Sequence, residues 1–280
     1  MWKKKLCLGA SKSFDIDEFE QIKLFSKIGF DAIFFEWSED EPVDEWIKAA
    51  KEEELIVQSL HAPFKKSADF WHGDDKQAKE AIDELIKCLE CCKRNEVDIL
   101  IVHAFIGFKR HEPTAIGIER FGKVIEHAEK VGVKIAFENT EGEEYLFALM
   151  DAFKNHDNVG FCWDSGHEMC YNHSKDLLAV FGDRLIATHI NDNLGIKDFN
   201  GDITYLDDLH LLPFDGIADW DYNTKRLLLA TCPEILTFEL TRNSKKDRFD
   251  NDVYKKMDIT DYISEVYKRA CRIAAKLTIR

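Results

Sequence analysis

The stretch VGFCWDSGH, residues 159–167, begins as a buried strand and ends in polar residues that can carry chemistry. Its apolar residues 161–163 show no polar alternation, which is typical of a strand buried on both faces of a parallel sheet. Asp164 and His167 follow at once. Since the sites of α/β barrels lie at the carboxyl ends of their strands, we interpret this stretch as a strand that delivers a ligand to a site.

Short apolar runs of this kind recur along the chain and alternate with longer segments of helical periodicity. The predicted strands are residues 5–11, 31–37, 56–63, 99–105, 134–140, 159–165, 185–191 and 235–240. The clearest predicted helices are residues 15–29, 42–54, 74–95 and 114–132. Pro42 should open the second of these helices, and Gly29 and Gly132 should close the first and the fourth.

This alternation predicts an α/β protein built as a single (β/α)8 TIM barrel that spans residues 1–280. Eight units in 280 residues give about 35 residues per unit, which suits a barrel of typical size. An open, doubly wound sheet is the alternative fold. It is less favoured because no glycine-rich phosphate loop follows the first predicted strand.

The composition restricts the classes of function. The formal net charge is −15 and the pI is about 5.1, which disfavours general affinity for nucleic acid because such binding needs a basic face. The first fifteen residues contain no long apolar stretch, so we expect a cytoplasmic protein without a signal peptide or a membrane span. The eight cysteines are therefore expected to be reduced thiols.

Side chains of the types that bind metals end nearly every predicted strand. They are Glu36, His61, His103, Glu138, Asp164, His189 and Glu239. Any one of them alone would be read as a structural or solvated residue, but seven at the same relative position should converge on one rim of a barrel. Carboxylates buried together would repel one another and their pKa values would rise, whereas a divalent cation removes that conflict. The pattern therefore predicts a metal site.

Five motifs carry a resemblance to a known family. They are AFENTEG (136–142), FCWDSGH (161–167), THINDN (188–193), DLHLLPFDG (208–216) and TFEL (237–240). Together they resemble the xylose isomerase-like TIM-barrel superfamily, which includes sugar and sugar-phosphate isomerases and epimerases and the endonuclease IV type of apurinic endonucleases. The resemblance spans nearly the whole chain, but it is less specific for the substrate because one barrel hosts many chemistries.

The isomerase and epimerase branch implies one divalent metal ion, with Mn²⁺ expected and Zn²⁺, Co²⁺ or Mg²⁺ as alternatives. The implied metal ligands are Glu138, Asp164, His189 and Glu239. Glu138 and Glu239 would also exchange protons with the carbon beside a carbonyl, through an enediolate that the metal stabilises. The residues implied to bind substrate are His61, His103, His167, His210, Glu36 and Arg242. The expected partner is a small sugar or sugar phosphate, with neither nucleic acid nor membrane, and homo-oligomer formation is left open.

The endonuclease branch is the main alternative, because its three zinc ions need nine ligands and this chain has a candidate for each. The nine are His61, His103, Glu138, Asp164, His167, His189, Asp208, His210 and Glu239. Basic residues also follow several strand ends, namely Lys65, Lys66, Lys109, Arg110, Arg242, Lys245, Lys246 and Arg248. Three departures favour the isomerase branch: the turn after Asp164 is not of the nuclease type, segment 208–221 resembles the isomerase loop, and the chain is acidic. A non-catalytic sugar- or metal-binding barrel ranks third.

Segment 208–221 lies in the long connection between the seventh and eighth predicted strands. Long loops at this rim are usually binding loops or lids. We predict that Asp219 caps a helix beginning near Trp220 and that His210 projects toward the metal cleft.

Overall fold

The computed structural model describes residues 4–109, 112–196 and 202–277. Each of its eight strands lies inside the segment predicted for it. The strands are β1 Lys5–Gly9, β2 Ala32–Glu36, β3 Ile56–His61, β4 Ile99–His103, β5 Lys134–Glu138, β6 Val159–Asp164, β7 Leu185–His189 and β8 Ile235–Phe238. All neighbouring strands are parallel, in the order β7-β6-β5-β4-β3-β2-β1-β8.

The sheet closes on itself between its two end strands. Ile190, just after β7, forms a parallel bridge with Phe238 of β8. The Ile190 amide donates to the Thr237 carbonyl at 2.8 Å. With helices between the strands, the chain is a (β/α)8 TIM barrel, and the predicted fold is confirmed.

The α-helices of the described residues are α1 Glu18–Ile28, α2 Val43–Glu52, α3 Asp69–His72, α4 Asp75–Arg94, α5 Ala115–Val131, α6 Glu143–Ala152, α7 Ser165–Cys170, α8 Leu177–Phe181, α9 Trp220–Leu229, α10 Asp252–Lys255 and α11 Ile259–Lys276. The four clearest predicted helices are present among them as α1, α2, α4 and α5. Pro42 is the N-cap of α2, and Gly29 and Gly132 end α1 and α5 in the left-handed conformation, as predicted. Within the described residues, no helix is both long and apolar enough to cross a membrane.

Strand alternation decides which side chains reach the barrel interior. On β6, Phe161 and Trp163 pack in the large core between strands and helices, whereas Cys162 packs inside the barrel with Ala136 and Ala187. Side chains two residues apart on a strand share a face. The last residues of β5, β6 and β7 are Glu138, Asp164 and His189, and each lies two residues after one of these inward positions. Their side chains therefore point into the mouth of the barrel.

Candidate metal centre

Six consecutive strands, β3 to β8, bring histidines and carboxylates to the carboxyl-end mouth of the barrel. His61, His103, Glu138, Asp164 and His189 are the last residues of β3 to β7. Glu239 follows the last residue of β8. All are buried or nearly so, and the structure brings them into one cluster.

The central group of this cluster consists of Glu138, Asp164, His189 and Glu239, each of which offers one ligand atom within 4.8 Å of the others. His189 Nδ1 lies 3.1 Å from Glu138 Oε1 and 3.1 Å from Glu239 Oε2. The ring of Phe34 stacks on His189 at 5.0 Å and forms a floor beneath it. These are the four residues that the resemblance implied as metal ligands.

The imidazoles compensate only part of the negative charge that the three carboxylates bring to the central group. Burial would raise the pKa of Glu138, but neighbouring imidazoles, His189 foremost, outweigh it and hold this pKa well below the usual range. Burial is likewise outweighed at Glu239, chiefly by His189, and its pKa falls to about 2. At Asp164 burial prevails and raises the pKa to about 6, although His167 opposes it. Three carboxylates around one imidazole fit the donor set of a divalent cation, which would relieve their repulsion.

A second group adjoins the central one and shares Glu138. The Nε2 atoms of His61 and His103 each lie 3.3 Å from Glu138 Oε2. Glu138 therefore turns Oε1 to the central group and Oε2 to the second group. The ring of Phe64 stacks on His103 at 4.6 Å.

A third group lies on the other side and consists of His167, Asp208 and His210. His167 Nε2 is 3.6 Å from Asp208 Oδ1, and His210 Nε2 is 3.0 Å from Asp208 Oδ2. His210 also links this group to the central one, since its Nδ1 lies 3.8 Å from Glu239 Oε2. The prediction that His210 projects toward the cleft agrees with this position.

In three histidines a backbone carbonyl determines which ring nitrogen carries the proton. Nδ1 of His61 is 2.8 Å from the Ala62 carbonyl, Nδ1 of His167 is 3.1 Å from that of Asn139, and Nδ1 of His210 is 3.2 Å from that of Glu239. Because a carbonyl oxygen only accepts, each Nδ1 must donate, and a neutral ring then turns the Nε2 lone pair toward a carboxylate. The Nε2 lone pair and the carboxylate oxygen are then both acceptors, and they repel each other unless the ring is protonated or a cation lies between them. This is the usual arrangement of metal-binding histidines.

Asp164 is held in place by two asparagines. The Asn139 side chain accepts from the Asp164 amide at 2.8 Å and donates to the Asp164 carbonyl at 2.9 Å. Asn191 Nδ2 donates to Asp164 Oδ2 at 2.8 Å. A Cβ at Gly166 would overlap the Asn191 amide oxygen, so this position needs glycine. Gly166 therefore leaves room for the Asn191 side chain, which in turn orients the Asp164 carboxylate.

Asp192 fixes the loop that carries Asp208 and His210. Its Oδ1 accepts from the amides of Asn193 at 2.9 Å and Ala218 at 3.0 Å. Its Oδ2 accepts from the Phe214 amide at 2.8 Å and from the Trp220 indole at 2.9 Å. Asp219 caps α9, which begins at Trp220 as predicted.

Two residues that were expected to bind substrate lie elsewhere. Glu36 ends β2, but it belongs to none of the ligand groups found among the described residues; it is exposed and lines a small cavity with Lys12 and Trp37. The buried guanidinium of Arg242 donates to the carbonyls of Phe14, Tyr254, Lys255 and Met257. The structure therefore places Arg242 in the packing of the C-terminal helices, because those carbonyls take up its donors.

Several basic residues expected at the rim are engaged in ion pairs. Lys66 pairs with Glu84 at 2.8 Å, and Arg248 with Asp250 at 2.7 Å. Lys245 Nζ lies 3.5 Å from Asp208 Oδ2, at the edge of the third group. Arg110 lies outside the described residues.

Some residues of the centre were not assigned a role from the sequence. Phe34 and Tyr171 stack on His189 and His167. Nothing in the local sequence marks Phe34, whereas Tyr171 follows His167 at a spacing of four residues, which is that of side-chain neighbours on a helix. Asn191 and Asp192 stand inside the quoted THINDN motif. An amide and a carboxylate that follow a strand-end histidine are a signal that could have identified them as supports of the centre.

Comparison with known families identifies the barrel. A family model described as a xylose isomerase-like TIM barrel matches residues 22–257. The uncharacterized protein y4fM of Sinorhizobium fredii (strain NBRC 101917 / NGR234) is 40% identical over 125 residues, which are 42% of this chain and 37% of that protein. The match thus spans little more than a third of the length of this curated relative.

Solved structures share the whole fold at low identity. The IOLI protein with a bound zinc atom has a TM-score of 0.77 and 21% identity, covering 99% of this chain and 100% of that one. D-Psicose 3-epimerase with D-tagatose from Clostridium cellulolyticum H10 has a TM-score of 0.70 and 14% identity, covering 98% and 99%. A D-tagatose 3-epimerase-like protein has a TM-score of 0.69 and 18% identity, covering 94% and 98%. At such identities the likeness concerns the fold.

Proposed function

Because the chain belongs to the xylose isomerase-like TIM-barrel family, we propose that it is a divalent-metal-dependent isomerase or epimerase of a small sugar or sugar derivative. The observation that carries this proposal is the central group, in which Glu138, Asp164, His189 and Glu239 converge within 4.8 Å at the barrel mouth. Epimerases of D-tagatose and D-psicose type among the structures of similar fold support the reaction class.

The four residues of the central group would hold the metal ion. Three carboxylates and one imidazole suit Mn²⁺, and Zn²⁺ is the other ion to test because the similar IOLI protein was described with zinc. A bound cation would polarise the substrate carbonyl and its neighbouring hydroxyl, and so acidify the proton on the adjacent carbon.

Glu138 and Glu239 are the residues we assign to proton transfer. Both lie 3.1 Å from His189 Nδ1, and both are ionised at neutral pH because their pKa values are lowered. Each can therefore accept a proton from the carbon beside the carbonyl and return it. Glu239 has 22% of its side chain exposed, whereas Glu138 is fully buried, so Glu239 is the more accessible to a substrate in the cleft.

The surrounding imidazoles supply substrate contacts in this proposal. His61, His103, His167 and His210 lie around the central group within the second and third groups. Imidazoles can donate to and accept from sugar hydroxyls, and the ring of Phe64 offers an apolar face beside His103. The partner would be a small molecule rather than nucleic acid or membrane.

Isotope exchange and metal content test the proposal together. Protein purified without chelators should contain about one tightly bound divalent ion per chain. In ²H₂O a turned-over ketose should gain deuterium at the carbon beside its carbonyl, and Glu239→Gln should remove most of this exchange. Glu234→Gln, a change in an exposed residue before β8, is the matched control and should leave exchange intact. Product without solvent deuterium would contradict the two-glutamate mechanism.

A three-metal phosphodiesterase that acts on abasic DNA is the second candidate. The observation that favours it is specific: all nine candidate ligands assemble into three adjoining groups, and three histidines turn Nε2 toward carboxylates. The net charge of −15 and the engagement of Arg242 with backbone carbonyls oppose capture of a DNA duplex. About three zinc ions per chain together with cleavage of an abasic duplex would establish this function instead. Retention of no metal would favour a non-catalytic sugar-binding barrel.

A further inference from the structure

A cavity of about 530 Å³ opens beside the metal centre, within the range of about 300–1,000 Å³ that is usual for small-molecule sites. We call it the rim cavity. It is formed by the loops after β4, β5 and β6 and by residues 202–204. The lining residues that matter here are Phe108, Lys109, Glu141, Glu143, Tyr171 and Asp202.

One aromatic ring separates the rim cavity from the third ligand group. The ring of Tyr171 stacks on His167 with a centroid distance of 5.0 Å and an interplanar angle of 30°. Its amide donates to the His167 carbonyl at 2.7 Å, which fixes its position. The ring of Phe108 meets Tyr171 edge-on at 5.8 Å, and Phe108 keeps 38% of its surface exposed. The rim cavity therefore adjoins the third group across a single ring, and a substrate at the metal centre that is longer than one sugar ring would have to pass the edge of Tyr171 to enter it.

The walls of the rim cavity offer hydrogen-bond acceptors and an apolar face. Carboxylate side chains line the cavity at Glu141, Glu143, Glu144 and Asp202, and Glu143 pairs through Oε1 with Lys175. Glu141 Oε1 accepts from the Gly107 amide at 2.9 Å. Carboxylates accept hydrogen bonds and repel anions, so these walls fit hydroxyl groups and disfavour a phosphate.

Two lysines limit the negative charge of the cavity. Lys109 lines it directly, and Lys175 neutralises Glu143. Against four lining carboxylates these two lysines leave the cavity negative, so it disfavours anions, and an uncharged group with many hydroxyls can pack its C–H face on Phe108 as sugars pack on aromatic rings.

We propose that the rim cavity is a second subsite, which binds an uncharged, polyhydroxylated group, and that the natural substrate is accordingly a glycoside or a similarly extended sugar rather than a sugar phosphate. The inference rests on the proposed function, because it assumes that the reacting sugar lies at the central group. It deepens that function by naming the substrate class.

Binding of matched sugars to the metal-loaded protein tests the subsite. Isothermal titration would compare D-fructose, D-fructose 6-phosphate and the disaccharides lactulose and palatinose, which carry a fructose unit in two different linkages. At least one disaccharide should bind more tightly than D-fructose, and D-fructose 6-phosphate should not. Phe108→Ala should weaken binding of the disaccharide by about tenfold, which corresponds to about 1.4 kcal/mol. It should change binding of D-fructose by less than about twofold.

Phe249→Ala is the control, since Phe249 is 78% exposed and does not line the cavity. Glu143→Gln is the second variant and should also weaken the disaccharide selectively. The subsite would be refuted if neither disaccharide binds more tightly than D-fructose, if the phosphate binds most tightly, or if Phe108→Ala weakens both sugars equally. Failure of the proposed function gives a different result: no solvent deuterium enters any sugar, while the selective effect of Phe108→Ala on disaccharide binding persists.

Discussion

Arg242 lies four residues beyond the end of β8, and its guanidinium donates to backbone carbonyls between β1 and α1, at the end of α10 and just after α10. Only 8% of the residue is exposed. We expect Arg242→Met to lower the free energy of unfolding by about 2 kcal/mol or more, because several buried carbonyls lose their donor. KM should not change. Urea unfolding and steady-state kinetics measure the two quantities.

Arg248→Met is the control for this prediction. Arg248 pairs with Asp250 two residues away and should contribute little to stability. An Arg242→Met protein of normal stability with a raised KM would restore Arg242 to the substrate site.

His210 connects the third group to the central one, through Asp208 on one side and Glu239 on the other. Under the proposed function, His210→Ala should keep the central metal ion and reduce substrate affinity or turnover by about tenfold or more, the effect of one or two lost hydrogen bonds. Elemental analysis and kinetics separate these effects. His127→Ala is the control, since His127 lies on α5 and pairs with Glu90. A loss of one metal ion per chain on His210→Ala would support the three-metal enzyme.

The loop between β7 and α9 depends on Asp192, whose two oxygens each accept two N–H groups. Asp192→Asn replaces one acceptor with an amide that must face two donors. We expect amide hydrogen exchange in segment 208–218 to become faster and turnover to fall, with little effect on the strands. Asp219→Asn is the matched control, because asparagine caps a helix as well as aspartate does. Unchanged exchange in this segment would show that the loop holds its shape without Asp192.

The strands and their inward positions could be predicted because the barrel is a repetitive structure. Continuous apolar runs mark strands that are buried on both faces, and the period of two then carries alternate side chains to the interior. On β5, Ala136 and Glu138 share the inner face, and on β7 Ala187 and His189 do the same. The four residues of the central group followed from this regularity together with the motifs.

The placement of the Glu36 and Arg242 side chains could not be predicted from their positions in the sequence alone. A residue at a strand end can point into the mouth, lie exposed at the rim, or turn toward the helices, and the choice depends on partners distant in sequence. For Arg242 those partners are carbonyls of Phe14 and of residues 254–257. Phe34 was missed for the same reason, since only the closed barrel places it against His189. Tyr171, by contrast, lies one helical turn after His167, and that spacing of four residues could have indicated the contact.

The whole molecule combines a net charge of −15 with a mouth in which carboxylates and imidazoles are buried together. In the metal-free protein, protonated histidines supply the positive charge beside the carboxylates that a bound cation would otherwise supply. Burial disfavours the charged ring of His210, but the carboxylates of Asp208 and Glu239 outweigh burial and raise its pKa to about 9. Metal binding must displace such protons, so protons compete with the metal ion and low pH weakens metal binding.

The sign of the resulting pH dependence follows from this raised pKa. His210 stabilises the metal-free fold fully below pH 6.5, its ordinary pKa, and this contribution is lost as the pH rises through about 9. A cation in the central group would neutralise Glu239, one of the carboxylates that hold the His210 proton, and would so favour loss of that proton; the cation meets less competition at high pH. The stabilisation that metal provides should therefore grow from pH 6.5 to pH 9.

Thermal unfolding of chelated and reloaded protein at these two pH values measures this difference. Saturating metal at about 100 times Kd adds about 2.7 kcal/mol, which for a chain of this size raises Tm by about 5 °C. We expect the rise to be larger at pH 9 than at pH 6.5 and to release protons in weakly buffered solution. His210→Ala should reduce the difference between the two pH values while the metal effect itself remains. A Tm that is indifferent to metal at both pH values would mean that the buried carboxylates and imidazoles neutralise one another, and the mouth of the barrel would then be a hydrogen-bonded cluster rather than a metal centre.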